Sequence, residues 1–288
     1  MKLLRVGTAG AERPALLDED GTTLRDLSGL VPDIDGGLLA DETALGRIRA
    51  AAASGELPVI GDDGDGVRIG PPLGRIGKIV CIGLNYHDHA AETGAAIPDE
   101  PIIFLKSPDT VIGPDDTVLV PRDSEKTDWE VELAVVIGRT ARYLDSAAEG
   151  LAHVAGYAVS HDVSERAFQL ERGGTWDKGK NCETFNPLGP WLVTADEIPD
   201  PQALSLKLYV NGEPKQDGTT AEQIFGVGEV VRYLSRFMTL YPGDVINTGT
   251  PAGVALGRPE PKPYLRAGDV VELEIEGLGR QRQTFADA

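Results

Sequence analysis

The sequence predicts an α+β protein built on a β-rich core. Ten short runs dense in Val, Ile, Leu and aromatic residues follow one another from Lys78 onward, spaced by Gly, Pro, Asn and Asp. Helical periodicity is confined to a few short stretches among them. Many strands with scattered helices suit a sheet core carrying helices at its margins. The 288 residues, 41% hydrophobic, suffice for one large domain with a substantial interior and a small second unit.

Residues 1–70 read as the small N-terminal accessory unit. Met1–Gly7 and Pro14–Leu17 read as strands, with Asp18-Glu19-Asp20-Gly21 as a turn after them. Asp41 is placed to cap a helix from Glu42 to about Ala53, which Gly55 ends. Gly61-Asp62-Asp63-Gly64-Asp65-Gly66 resembles a calcium loop. It lacks the ligand spacing and closing Glu of one, so it reads as a turn. Pro71-Pro72 marks the boundary to a larger unit over 71–288.

In that unit the expected strands are Lys78–Ile82, Ile102–Leu105, Thr117–Val120, Glu130–Ile137, Gly156–Ser160, Trp191–Thr194, Leu204–Val210, Val245–Thr248, Val270–Ile275 and Gly279–Phe285. Asn211-Gly212 and Glu276-Gly277-Leu278-Gly279 read as hairpin turns. Helices are expected near Ser146–Ala152, Val163–Leu170 and Val227–Phe237. In the last, Val230, Val231, Leu234 and Phe237 share one apolar face.

Charge and cysteine content narrow the function. The formal net charge of −19 argues against a phosphate groove or an anionic membrane surface. Two cysteines allow neither a disulfide framework nor a cysteine-rich zinc site. No apolar leader and no run of 18 apolar residues is present, so the cytoplasm is the expected compartment.

The chemistry-bearing residues begin with Glu130-Val131-Glu132. Strand alternation points both carboxylates to one face, about 7 Å apart along the strand. The rest of the run is apolar, and two like charges on a buried face are costly unless a cation binds them. Mg²⁺ and Mn²⁺ prefer such oxygen ligands. A solvated edge strand is the competing reading. Asp162 follows the strand Tyr157–His161. It reads either as the N-cap of the next helix or as a third ligand. His89 and Glu92 lie three apart on a helix starting near His87. There the carboxylate would orient the imidazole as a base, unless the pair is an incidental surface contact. Gly173–Cys182 carries Lys178 and Lys180 without the order of a phosphate loop, and Cys182 has no neighbouring base. Thr248-Gly249-Thr250-Pro251 offers backbone N–H groups and hydroxyls to a carboxylate. Together these suit a divalent-metal enzyme acting on a small oxo acid.

The order of these motifs resembles the fumarylacetoacetate hydrolase family from about Lys78 to Phe285. The resemblance rests on Gly83-Leu84-Asn85-Tyr86 with His89 and Glu92, Trp129-Glu130-Val131-Glu132-Leu133, Gly156-Tyr157 through Asp162 and Gln169, Lys180, and Leu240–Asp244 leading into Thr248-Gly249-Thr250-Pro251. It implies a β-sandwich-like roll of mixed sheets, commonly a homodimer, with Mg²⁺ or Mn²⁺ in the site. Carried onto this chain, it implies Glu130, Glu132 and Asp162 as metal ligands. It implies His89 and Glu92 as the water-activating pair and Lys180 as the lysine beside the metal. Tyr86, Gln169 and Thr250 match substrate contacts, and Lys178 competes with Lys180.

The implied reaction is hydrolysis of a C–C bond in a 2,4-dioxo acid, an acylpyruvate or a sugar-derived diketo-deoxy acid. The segment Trp176–Lys180 with Gly189–Val193 leans towards the sugar-derived type. Oxaloacetate decarboxylation, isomerisation and ureidoglycolate-lyase chemistry are alternatives on the same site, and a catalytically silent metal- or ligand-binding protein is the non-enzyme alternative.

Overall fold

The computed structural model describes residues 1–62 and 66–288. The Gly61–Gly66 turn expected from the sequence includes residues 63–65, which lie outside those described. Its fold is a sheet-rich α+β architecture. The larger sheet runs, strand beside strand, Val59–Asp62, Thr23–Asp26, Arg13–Leu17, Lys2–Val6, Asn186–Thr194, Val154–His161, Val131–Ile137, Val245–Asn247, Ile79–Gly83 and Ile102–Lys106. The sheet is mixed because Val245–Asn247 and Ile79–Gly83 run parallel, whereas most neighbours are antiparallel. A second sheet of five strands runs Glu213–Thr219, Ser205–Val210, Val270–Ile275, Gly279–Asp287 and Val118–Val120.

The strand Val131–Ile137 shows why the two layers meet where they do. Its odd positions, Val131, Leu133 and Val135, bury against Leu206, Leu208, Val271 and Leu273 of the second sheet. Its even positions, Ala134 and Val136, belong to the core that holds Leu38, Leu45 and Ile48 of the N-terminal segment. A strand covered on both faces reads as a continuous apolar run, and this one does from Leu133 to Ile137. Glu130 and Glu132 stand on the even face, so alternation carries two acids into the interior.

Local chemistry fixes several elements. Asp41 caps the helix Glu42–Ser54 by accepting from the N–H groups of Thr43 and Ala44, at 2.9 and 3.0 Å. Asn211 and Gly212 both have positive φ, 52° and 78°, as the two-residue turn pairing Val210 with Glu213 requires. The helix expected over Val163–Leu170 starts later. Ser164–Glu165 ladders with Thr127–Asp128, and the helix is Arg166–Leu170. Its cap is Glu165, accepting from the Ala167 N–H at 3.0 Å, so the cap reading of Asp162 is excluded. The helix expected to reach Phe237 ends at Leu234. Phe237 lies 61% exposed against the Tyr233 ring rather than in the core. The strand Glu213–Thr219 carries no apolar pattern and escapes sequence reading because it is a polar sheet edge. No helix among the described residues is long and apolar enough to cross a membrane.

The first 70 residues extend the larger sheet. Lys2 and Leu3 pair with Val193 and Leu192 of the strand Asn186–Thr194. Deleting residues 1–70 is therefore expected to bare that strand's edge and the apolar face holding Leu188, Leu192 and Val245. The shortened chain should aggregate in size-exclusion chromatography. A soluble, active fragment beginning at Pro71 would contradict this.

Candidate active site

The site forms where strand ends and loops converge beside the even face of Val131–Ile137. Val131 lies opposite His161 in the antiparallel ladder, and the Asp162 N–H donates to the Glu130 carbonyl at 3.0 Å. Cross-strand partners share a face, so Asp162 joins Glu130 and Glu132. All three are buried, and one carboxylate oxygen from each lies within 4.8 Å of the others. They are the one such group of potential metal ligands among the described residues.

Three cations stand around these acids. Lys180 Nζ donates to Glu130 Oε2 at 2.7 Å and to Asp162 Oδ2 at 2.8 Å. Lys106 Nζ donates to Asp162 Oδ1 at 2.5 Å and to the Val163 carbonyl at 3.1 Å. Arg166 donates from Nε to Asp128 at 2.8 Å, from Nη1 to Gln169 Oε1 at 3.0 Å, and from Nη2 to Glu130 Oε1 at 2.6 Å. Glu132 differs from its neighbours. It accepts the Gly249 N–H at 2.8 Å, and no cationic side chain among the described residues pairs with it.

The charge balance follows from this geometry. Burial alone would raise the Glu130 carboxyl, but Lys180 and Arg166 outweigh it and hold that carboxyl well below the usual range. Burial, Asp162 and Glu130 together push Glu132 well above its usual value. Burial opposes the charge on Lys180, yet Asp162 and Glu130 hold its ammonium protonated beyond the ordinary lysine range. Four buried acids, Asp128, Glu130, Glu132 and Asp162, thus face three cations, Lys106, Arg166 and Lys180. The carboxyl without a cationic partner is Glu132, which favours its protonated form until a cation arrives, and its surroundings are hard oxygens. That donor set fits Mg²⁺ or Mn²⁺.

A short helix, His87–Thr93, brings the second group. His89 Nδ1 lies 3.2 Å from Glu92 Oε2, and Glu92 accepts the Gly253 N–H at 2.9 and 3.1 Å. The carboxylate makes Nδ1–H the preferred tautomer, leaving Nε2 as an acceptor. A cavity of about 290 Å³ joins the two groups; it is lined by His89, Glu130, Glu132, Arg166, Gln169 and Lys180, among others.

The other residues singled out from the sequence divide clearly. Gln169 and Thr250 line the cavity. The Thr250 hydroxyl donates to the Val131 carbonyl and accepts from Gln216 Nε2, both at 2.8 Å, so it is held by the protein. Tyr86 is not among the lining residues; it is fully buried, with its hydroxyl 3.3 Å from Gln223 Nε2. Lys178 donates to the Arg172 carbonyl at 2.7 Å, whereas Lys180 reaches the acids. Burial pushes the Cys182 thiol up to about 11, which leaves little thiolate near neutral pH. Sequence reading missed Lys106 and Arg166. Lys106 ends the apolar run Ile102–Leu105 and shares the Phe104 face, and Arg166 sits three residues before Gln169. Both signals become legible only once the strand and helix bounds are known.

The family model described as fumarylacetoacetate (FAA) hydrolase C-terminal matches residues 78–286. A protein of Burkholderia ambifaria (strain MC40-6) named "Putative hydrolase" is 51% identical over 288 residues, the whole of both chains. Two solved structures superpose over the whole of both chains. The fumarylacetoacetate hydrolase of psychrophilic Exiguobacterium antarcticum does so with a TM-score of 0.85 and 32% identity. The maleylpyruvate hydrolase of Sphingobium sp. SYK-6, in complex with manganese(II) ion and pyruvate, does so with a TM-score of 0.82 and 28% identity.

Proposed function

This chain belongs to the fumarylacetoacetate hydrolase family and is an enzyme, and we propose that it hydrolyses a C–C bond of a 2,4-dioxo acid with a divalent metal ion. The observation that carries the reading is a cavity lined by His89, which is bonded to Glu92, and by Glu130 and Glu132 of the three clustered buried carboxylates.

In this reading Glu130, Glu132 and Asp162 hold Mg²⁺ or Mn²⁺. The bound ion would supply Lewis-acid stabilisation of the charge released on the pyruvyl oxygens. His89 Nε2 takes a proton from water as its oxygen attacks the distal carbonyl. Glu92 holds the ring through Nδ1–H and is itself fixed by the Gly253 N–H. The carbonyl carbon gains the water oxygen and leaves as a carboxylic acid. The electron pair of the broken C–C bond goes to the pyruvyl fragment, which takes up a proton to give pyruvate or its analogue. Lys180 provides fixed positive charge beside that fragment. Gln169 lines the cavity with its carbonyl oxygen taken by Arg166, which leaves its amide N–H groups to donate to the substrate. The homodimer implied by the resemblance belongs to the same reading and is checked by light scattering.

The test is product identification. An acylpyruvate incubated with the enzyme and Mg²⁺ or Mn²⁺ should yield one pyruvate and one carboxylate per substrate lost, and chelator should stop it. An isomerase would change the ultraviolet spectrum without releasing pyruvate, and a decarboxylase would release CO₂ from oxaloacetate. Either result in place of pyruvate release would overturn the hydrolytic reading.

A further inference from the structure

Much of the cavity wall is apolar. Leu84, Ile102, Phe104, Leu170, Trp176 and Leu256 line it, and the Phe104 ring lies 5.1 Å from Lys180 Nζ, where this wall meets the acid cluster. Phe104 and Trp176 meet edge to face with ring centroids 5.5 Å apart. A Cβ on Gly83 would stand 2.4 Å from the Trp176 ring, so the indole is seated on bare backbone. Ile102 and Leu170 carry the apolar lining out to the mouth, where they are 36% and 46% exposed.

The cationic groups of the cavity are already engaged, and the polar groups left over are the Gln169 amide N–H groups and His89 Nε2. Each nitrogen of Arg166 and the ammonium of Lys180 is directed at protein oxygens. The Thr93 hydroxyl donates to the His89 carbonyl at 2.9 Å. A second carboxylate on the substrate would be buried here without a free cation. A polyhydroxyl chain would lose water against hydrocarbon and aromatic walls. Both are unfavourable.

Leu84 gives independent support. Its φ is +50°, in the left-handed region where a side chain is strained and glycine is not. Asn85 holds the turn, donating from Nδ2 to the carbonyls of Phe225 and Thr248 at 3.0 and 2.8 Å and accepting the Phe225 N–H at 2.8 Å. The fold tolerates this strain while placing an isobutyl group in the cavity wall.

We propose that the distal substituent of the substrate is uncharged and apolar, a single aromatic ring or a short branched alkyl group. This rests on the dioxo-acid reading above and departs from the sugar-derived substrate that the sequence suggested. A volume of about 290 Å³ is in the range that holds a small ligand, an oxo-acid head with one ring beside it.

The test separates the subsite from the reaction by using 2-oxo acids that have no cleavable bond. Calorimetry on the Mn²⁺-loaded enzyme compares 2-oxo-4-phenylbutanoate with a 2-oxo dicarboxylate and a polyhydroxylated 2-oxo acid. The phenyl compound should bind about tenfold or more tightly than either. Leu170→Arg, at a half-exposed position, should reverse the order between phenyl and dicarboxylate. Trp176→Ala should weaken the phenyl compound alone. Equal or tighter binding of the charged or hydroxylated compound, or no binding of any, overturns the proposal. If the phenyl preference holds but no 2,4-dioxo acid is cleaved in parallel assays, the apolar subsite stands and the hydrolytic reading fails.

Discussion

Replacing Glu132 with glutamine is expected to remove metal-dependent turnover while making the metal-free protein more stable. Glu132 lies within a carboxylate group whose oxygens are no more than 4.8 Å apart, and Lys180, Lys106 and Arg166 all serve its neighbours. Burial and the charges of Asp162 and Glu130 raise its carboxyl far above the ordinary glutamate range. In the metal-free protein the folded state therefore holds a proton that the unfolded chain releases. That contribution to stability is present at low pH and is lost as pH rises beyond the ordinary glutamate range. Glutamine removes the titration and keeps an oxygen for the Gly249 N–H. Calorimetry in chelator should show a gain of about 1–2 kcal/mol at neutral pH, shrinking towards acid. With Mg²⁺ or Mn²⁺ present, turnover should fall by about 10³-fold or more, since a proposed ligand of the ion is gone. A Glu132→Gln enzyme with full metal-dependent activity, or one destabilised without metal, would contradict the assignment.

Replacing His89 with alanine should also cost turnover, but with metal binding left intact. The imidazole lines the cavity and is hydrogen-bonded through Nδ1 to Glu92, so its loss removes the proposed proton acceptor and leaves the three acids in place. The expected loss in kcat is about 10²–10⁴-fold, with Mn²⁺ affinity changed by less than about threefold. Glu92→Gln should cost less than His89→Ala, because an amide oxygen can still accept the Gly253 N–H while orienting the ring poorly. A His89→Ala enzyme that turns over normally would exclude the residue as base.

The contrast between these two variants separates electrostatic poise from proton transfer. Such sites commonly give up folding stability for function, and the Glu132→Gln result would show whether this one does so at Glu132.

Much of this was legible before the fold. Strand alternation alone placed Glu130 and Glu132 on one face, because the side-chain period of a strand is 2 and the intervening residues are apolar. Asp41, Gly55 and Asn211-Gly212 announced their roles through local backbone chemistry that acts over a few residues. Asp162 was ambiguous because capping and charge pairing use the same carboxylate. Only the register that sets it beside Glu130, and the competing cap at Glu165, decide between them. Lys106 and Arg166 were illegible for a related reason. Their partners are 56 and 36 residues away, and nothing local marks a lysine that will end up buried. Phe237 fits the helical period, but the helix ends one turn before it. The strand Glu213–Thr219 has no hydrophobic pattern, though its Gln216 is buried and holds the Thr250 loop.

Anomalous diffraction from crystals grown with Mn²⁺ examines the arrangement of charge most directly. One strong peak should lie in direct coordination of Glu130, Glu132 and Asp162, with Lys180 displaced from at least one of the two carboxylates it now bridges. A peak elsewhere, or none while Lys180 keeps both contacts, would mean that the acids balance the buried lysines and hold no metal.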